Sequence, residues 1–308
     1  MRIVFMGTPE FAAMVLRAMC AEGYAPTLVV SQPDRPKGRG RKLAPTPVHQ
    51  AADELGLPII QPEKLDDTAV ERLRDERPDV IVVSAYGKLL RPRVFELPPH
   101  GCLNTHASLL PKYRGAAPIN WAIINGETEA GVTIMRIDKG MDTGAMSLRR
   151  AIPIEPTDTA ATLTDKLAKV GGELIVEALR ALEAGTLSFT PQDDSAATHA
   201  PMMTKDHGRV DWAKSADELD RLIRGVTPWP GAQTTLDGDG VKILEATPTE
   251  EASGEPGAVI RADKKGIVIG CGKGALVVKR LQMQGRNPVD AAAFLNGRAL
   301  TPGDRFGT

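Results

Sequence analysis

The chain has 308 residues, with 38 Lys and Arg against 39 Asp and Glu and a formal net charge of −1. This length predicts about two domains, and 42% hydrophobic with 25% charged residues is typical of a globular protein. The near-zero net charge argues against a protein that binds nucleic acid by total charge alone. No apolar run approaches the roughly 18 residues of a membrane span, so we expect no membrane partner.

Basic residues are nevertheless concentrated in two places. From 258 to 308, nine basic residues stand against three acidic ones, which gives this segment a charge of +6. A second cluster follows Asp34 and consists of Arg35, Lys37, Arg39, Arg41 and Lys42. Because Pro33 and Pro36 exclude a helix, we expect these cations on an irregular loop. Such a charge run is either a solvated surface or a contact for phosphates.

The cysteines indicate a reducing compartment. Cys20, Cys102 and Cys271 are widely spaced and form no CxxC or His-Cys cluster. This pattern predicts neither a disulfide framework nor a metal site. The first apolar run ends at Gly7 and is too short for the apolar core of a signal peptide. The expected location is therefore cytoplasmic.

The first part of the chain alternates strands with helices. Apolar runs predict strands over 1–6, 26–30, 58–60 and 79–83, and helical spacing predicts helices over 11–22, 48–55, 68–75 and 159–183. We expect Thr8 to cap the first helix and Pro9 to occupy its first position. The pattern predicts an α/β fold, a doubly wound and mostly parallel sheet over 1–189, with ligands bound beyond the carboxyl ends of its strands.

The last part of the chain predicts a smaller β domain. Residues 190–207 begin with a polar, irregular stretch and are interpreted as a linker. A helix over 216–225 and short strands over 241–244, 258–260, 266–270 and 275–281 follow, with Gly270 to Gly274 as a hairpin turn. We therefore expect residues 208–308 to form a small β-barrel or curled sheet.

The stretch from Gly101 to Gly144 holds the side chains best suited to chemistry. Asn104 and His106 are two residues apart, so in an extended segment they face the same side. An amide donor beside an imidazole can stabilise an oxyanion while a proton is moved, and a carboxylate such as Asp142 can orient the imidazole. From spacing alone, a hydrogen-bonded core histidine and an ordinary Asp-Gly turn stay open as alternatives.

The motifs around these residues resemble the formyltransferases that use 10-formyltetrahydrofolate. The resemblance is carried by Asn104 to Pro111, Arg114 to Ile119, Gly131 to Met135 and Met141 to Gly144. It implies a Rossmann-like formyltransferase domain, with Asn104, His106 and Asp142 as the catalytic trio and no metal. It also implies that the folate donor contacts residues 85–90 and 108–111 and the Asp-Gly loop, namely Tyr86, Gly87, Leu89, Ser108, Leu109, Leu110, Pro111, Asp138 and Gly140.

Three further features resemble the branch of this family that acts on initiator methionyl-tRNA. These are Met6 to Phe11, the basic cluster after Gln32, and Pro228 to Ala232 near the start of an OB-like C-terminal domain. The resemblance implies that a monomer transfers the formyl group to the methionine α-amine for translation initiation. It implies tRNA contacts at both basic regions, from Arg35, Lys37, Arg39, Arg41, Lys42, Lys264, Lys265, Lys279 and Arg280.

Two alternatives remain at this point. The first is a formyltransferase that acts on a small amine, such as a UDP-amino-sugar or glycinamide ribonucleotide. The second is a dinucleotide-binding or purely RNA-binding protein. The turn at Gly7 to Phe11 lacks the GxGxxG pattern of a dinucleotide site, and a pure binder has no need of the trio.

Overall fold

The computed structural model describes residues 1–37, 42–250, 252 and 254–307. Its contacts divide the chain into two compact units. The first consists of Met1–Pro118, Glu129–Pro153 and Thr164–Ala200, and the second of Ile119–Thr128, Ile154–Leu163 and Pro201–Thr308. Among the described residues, no helix has both the length and the apolar character needed to cross a membrane.

The four strands and four helices that the apolar pattern predicts up to residue 200 are all present, and further strands and two short helices lie between or after them. The strands are β1 (Ile3–Gly7), β2 (Leu28–Val30), β3 (Arg35–Lys37), β4 (Lys42–Ala44), β5 (Ile59–Ile60), β6 (Val80–Ser84), β7 (Cys102–His106), β8 (Arg114–Gly115), β9 (Glu129–Arg136), β10 (Met146–Pro153) and β11 (His199–Ala200). The helices are α1 (Glu10–Ala21), α2 (Pro47–Glu54), α3 (Asp67–Asp75), α4 (Pro92–Phe95), α5 (Pro118–Ile124) and α6 (Ala160–Glu183).

Seven of these strands form the central sheet, in the order β10-β9-β7-β6-β1-β2-β5. The five strands from β7 to β5 are parallel, and β9 and β10 extend the sheet antiparallel. Every residue of β1 and β6 is buried, as expected for strands covered on both faces. The predicted α/β, mostly parallel sheet is therefore confirmed.

The prediction that Thr8 caps the first helix is wrong. Helix α1 begins at Glu10, and Pro9 stands at its N-cap position without a side-chain cap. The Thr8 hydroxyl instead donates to the carbonyl oxygen of Tyr86, 3.0 Å away, beyond the end of β6. The Thr8 hydroxyl thus bonds a residue distant in the sequence and does not cap the helix as the local pattern predicted. This bond ties together the chain segments that follow β1 and β6.

The basic cluster after Asp34 is framed by a hairpin and is not irregular throughout. Strands β3 and β4 pair antiparallel, with Lys37 opposite Lys42, while Arg39 and Arg41 lie outside the described residues. The carboxylate of Asp34 anchors the base of this hairpin. It accepts from the backbone N–H of Thr46, from the side-chain amide of Gln61 at 2.7 Å and from Nδ1 of His49. Burial raises the pKa of Asp34, but these hydrogen bonds outweigh it, so the pKa is lowered overall.

The second unit is built around a curled antiparallel sheet. Its strands are β12 (Ala232–Leu236), β13 (Asp239–Thr249), β14 (Val259–Asp263), β15 (Gly266–Gly270), β16 (Ala275–Met283), β17 (Val289–Asp290) and β18 (Phe306–Gly307). Its later helices are α7 (Ala216–Gly225) and α8 (Ala291–Gly297). The strand order is β14-β15-β16-β13-β12-β18.

The two ends of this curled sheet meet. Ala258, just before β14, bridges Arg305, just before β18, and the N–H of Val259 donates to the carbonyl oxygen of Asp304. Paired ends remove the exposed edges that an open sheet would present. This closure agrees with the small OB-like barrel expected from the sequence. Gly270 to Gly274 connects β15 to β16 as the expected hairpin turn.

Candidate active site

Strand β7 carries Asn104 and His106 on one face. The two side chains share this face because side chains alternate along a strand. Thr105 points to the other face, where its methyl group lies against Gly171 of helix α6. Asn104 is partly exposed, whereas His106 is only 6% exposed. Helix α6 thus covers one face of β7, and Asn104 and His106 lie on the opposite face.

The segment that follows β7 is held by Thr133 of the neighbouring strand β9. The Thr133 hydroxyl donates to the carbonyl oxygen of Ser108 at 2.7 Å and accepts from the N–H of Leu110 at 3.1 Å. Thr133 itself is fully buried, so these bonds are shielded from water. Residues 108–111 are thereby fixed beside the end of β7.

The loop between β9 and β10 carries Asp142. Asp142 has a left-handed backbone with φ of 55°, and its carboxylate accepts from the N–H of Gly115 at 2.9 Å. Asp138 shapes the same loop by accepting from the N–H of Gly140 and the hydroxyl of Thr143. The loop also needs glycine at 144, because a Cβ there would lie 1.8 Å from the carbonyl oxygen of Arg136.

The loop brings Asp142 close to His106. Oδ2 of Asp142 lies 3.7 Å from Nδ1 of His106, and the carboxylate side chain is 20% exposed. The other ring nitrogen, Nε2, lies 3.0 Å from the carbonyl oxygen of Tyr113. Because a carbonyl oxygen only accepts hydrogen bonds, this contact places a hydrogen on Nε2. Nδ1 is then the nitrogen available for proton exchange beside the carboxylate.

The stretch interpreted as a linker is docked against this site. Residues 190–200 run beside 111–115, and β11 pairs with β8. Thr198 accepts from the N–H of Tyr113 through its hydroxyl and from the N–H of Arg114 through its carbonyl oxygen. The amide of Gln192 donates to the carbonyl oxygens of Asp142 and Gly144, both at 2.8 Å. Sequence reasoning missed Gln192 and Thr198, because a polar run carries no signal for contacts 50 or more residues away.

The residues expected to contact folate differ in their exposure. Tyr86 is 2% exposed and belongs to a core cluster, where burial raises the pKa of its hydroxyl to about 12. Leu110 is fully buried and Ser108 nearly so, backbone atoms included. Leu89, in contrast, is 70% exposed. Gly87 is also exposed, and Leu109, Pro111, Asp138 and Gly140 are partly exposed.

The cationic residues expected to contact tRNA are solvent-exposed wherever their side chains are described. Arg35 forms an exposed ion pair with Glu63 at 2.7 Å. Lys264 and Lys265 occupy the turn between β14 and β15. Lys279 and Arg280 are adjacent on β16 yet both exposed, because a register shift opposite Glu245 interrupts the alternation.

Comparisons with known proteins cover both units. A family model described as formyl transferase matches residues 1–179, and one described as formyl transferase, C-terminal domain, matches residues 202–299. A methionyl-tRNA formyltransferase of Geobacter sulfurreducens is 48% identical over 100% of this chain and 97% of its own. The chain belongs to the methionyl-tRNA formyltransferase family. A second member, from Caldanaerobacter subterraneus, is 46% identical over 98% of this chain and 99% of its own.

Solved structures share this family's fold at lower identity. HypX from Aquifex aeolicus in complex with tetrahydrofolic acid has a TM-score of 0.67 and 21% identity, over 100% of this chain and 50% of that one. An N-formyltransferase from Helicobacter canadensis, solved with folinic acid and dTDP-3-aminofucose, has a TM-score of 0.69 and 19% identity. It covers 92% of this chain and 99% of that one. These likenesses support the fold.

Proposed function

We propose that this protein transfers the formyl group of 10-formyltetrahydrofolate to the α-amine of methionine on initiator methionyl-tRNA. The family assignment supports the reaction, since relatives close to half identical over nearly the whole chain are named for it. The observation that carries the mechanism is the contact between His106 and Asp142 beside the partly exposed Asn104. The reaction is expected in the cytoplasm, on a monomer.

Asn104, His106 and Asp142 each have a separate task in the proposed mechanism. The bond from the amine nitrogen to the formyl carbon forms, the bond from that carbon to the folate nitrogen breaks, and one proton moves from the amine to the leaving nitrogen. Asn104 donates to the oxygen that gains negative charge, for which one donor is worth about 3–4 kcal/mol. Nδ1 of His106 takes the proton from the attacking amine, because Nε2 is occupied by the Tyr113 carbonyl.

Asp142 stabilises the imidazolium that results. Its carboxylate faces Nδ1, the atom that receives the proton, so the interaction is stronger after proton transfer than before. The N–H of Gly115 holds this carboxylate in place. The pair therefore favours the charge that develops during the reaction.

The folate donor is proposed to bind between residues 85–90, residues 108–111 and the Asp142 loop. Two exposed apolar side chains support this site: Leu89 is 70% exposed and Met141 is 62% exposed. Large apolar side chains that face water suit the flat faces of a bound heterocycle. We propose that Asp138 and Gly140 contribute from the loop, and that Tyr86 and Leu110, which are buried, support the segments that line the site.

The acceptor end of tRNA is proposed to contact the basic cluster and the +6 region. The Asp34 contacts fix the base of the hairpin, while the ion pair of Arg35 with Glu63 is exposed on both sides. Exposed ion pairs are worth less than about 1 kcal/mol, so Arg35 can exchange Glu63 for a phosphate at small cost. Arg280 lies in register with Glu245 and Asp290, so we expect the largest contributions from Lys264, Lys265 and Lys279.

A formylation assay with each trio residue replaced in turn tests this function. Asn104→Ala, His106→Ala and Asp142→Ala should each reduce turnover strongly while tRNA binding changes little. Wild-type turnover in any of the three would refute the assigned role. The small-amine alternative is less well supported, since the sugar formyltransferase structures are below 20% identical.

A further inference from the structure

Gln192 is the polar side chain through which the segment 190–200 reaches the loop of Asp142. Its side-chain nitrogen donates to two carbonyl oxygens, those of Asp142 and Gly144, each at 2.8 Å. Its side-chain oxygen accepts from Nε of Arg114 at 3.0 Å. All the hydrogen-bonding groups of one amide are thus directed at one loop and one arginine.

The chemistry of these partners allows only one orientation of the amide. Arginine only donates and a backbone carbonyl only accepts, so the oxygen must face Arg114 and the nitrogen must face the loop. Arg114 is only 6% exposed, and its Nη2 is paired with Asp194 at 2.7 Å. The arginine is therefore fixed by two residues of the same segment, and it in turn fixes Gln192.

The two carbonyl oxygens that Gln192 holds belong to Asp142 itself and to Gly144, two residues further along the loop. Asp142 has φ of 55°, a left-handed conformation that costs energy for a residue other than glycine. The N–H of Gly115 holds only its carboxylate. Holding the backbone oxygens of residues 142 and 144 at once stabilises this conformation and with it the direction of the carboxylate toward His106.

We propose that Gln192 is a positioning residue for Asp142. It touches none of the reacting atoms and acts by holding the loop in which Asp142 faces His106. The inference rests on the proposed function, because it assigns Gln192 a part in formyl transfer. Losing this support would displace the carboxylate, and a displacement of about 1 Å can cost about a hundredfold in rate.

Kinetics of Gln192→Ala and Gln192→Met with the full-length protein test the proposal. We expect kcat to fall between tenfold and a hundredfold, with KM for methionyl-tRNA and for the folate donor within about twofold of wild type. Gln192→Met keeps the length of the side chain without the donor, so it separates hydrogen bonding from packing. Ser195→Ala is the matched control, since among the described residues the Ser195 hydroxyl bonds only Asp193 of the same segment. It should leave kcat unchanged.

A double-mutant cycle separates positioning from a general structural role. In single-turnover assays, adding Gln192→Ala to Asp142→Ala should lower the rate by less than about twofold, because the group that Gln192 positions is already gone. The proposal would be overturned if the rate losses of the two single variants multiplied in the double variant. It would also be overturned by an unchanged kcat in both Gln192 variants, or by a change confined to KM. Wild-type protein without formyl transfer would instead refute the proposed function itself.

Discussion

Asp142→Asn tests the electrostatic part of the mechanism, because it removes the charge while keeping the shape of the side chain. The carboxylate lies 3.7 Å from Nδ1 of His106. At an effective dielectric constant of about 20, a full charge pair at this separation is worth about 4 kcal/mol. Since the Asp142 side chain is 20% exposed and also bonds the N–H of Gly115, solvent and competition reduce this to about 3 kcal/mol. A loss of this size lowers kcat about a hundredfold.

The assay is formylation of methionyl-tRNA with both substrates saturating, so that kcat is read directly. The Gly115 N–H can still donate to the amide oxygen of the variant, so the loop should keep its form. Asp165→Asn, an exposed carboxylate on helix α6, removes the same charge elsewhere and should leave kcat unchanged. A kcat for Asp142→Asn within about threefold of wild type would refute the charge argument, since about 0.6 kcal/mol is far below the expected loss.

Three further results are expected. Arg41→Ala should weaken tRNA binding and flatten the slope of log K against log salt by about one unit, while Arg180→Ala on helix α6 should not. Asp34→Asn should cost about 1–3 kcal/mol of unfolding free energy at pH 7. Because the pKa of Asp34 is lowered in the folded protein, this difference should shrink as the pH falls below 3.8. Burial raises the pKa of all three cysteine thiols, Cys20, Cys102 and Cys271, and that of Cys271 to about 11. Iodoacetamide at neutral pH should therefore leave turnover unchanged, and rapid inactivation would contradict this.

Local sequence patterns predicted the elements that are buried by their own composition. The runs at β1 and β6 are apolar up to their last residues, Gly7 and Ser84, so both strands could be predicted from the sequence. Strand β10 could not, since none of its residues is buried and the adjacent Arg149 and Arg150 interrupt any alternation of apolar and polar residues. The prediction for Thr8 is wrong for another reason. Its hydroxyl suited a local helix cap, but it donates instead to a carbonyl oxygen 78 residues away.

The site divides in the same way between local and distant information. The spacing of Asn104 and His106 in an extended segment already predicted that they share a face, but their catalytic roles were predicted from the family resemblance. The prediction that Asp142 acts with them came from the resemblance to formyltransferases and not from spacing. Gln192 could not be found at all, because its polar surroundings indicate a loop, and only the tertiary structure shows which carbonyl oxygens it holds.

The most direct test of the account is a comparison of formyl acceptors with purified full-length protein. Supplied with 10-formyltetrahydrofolate, the wild type should formylate initiator methionyl-tRNA, and His106→Ala should do so at a strongly reduced rate. A UDP-amino-sugar in place of the tRNA should yield no formylated product. Formylation of the sugar with none of the tRNA, or equal rates for wild type and His106→Ala, would contradict the proposed function.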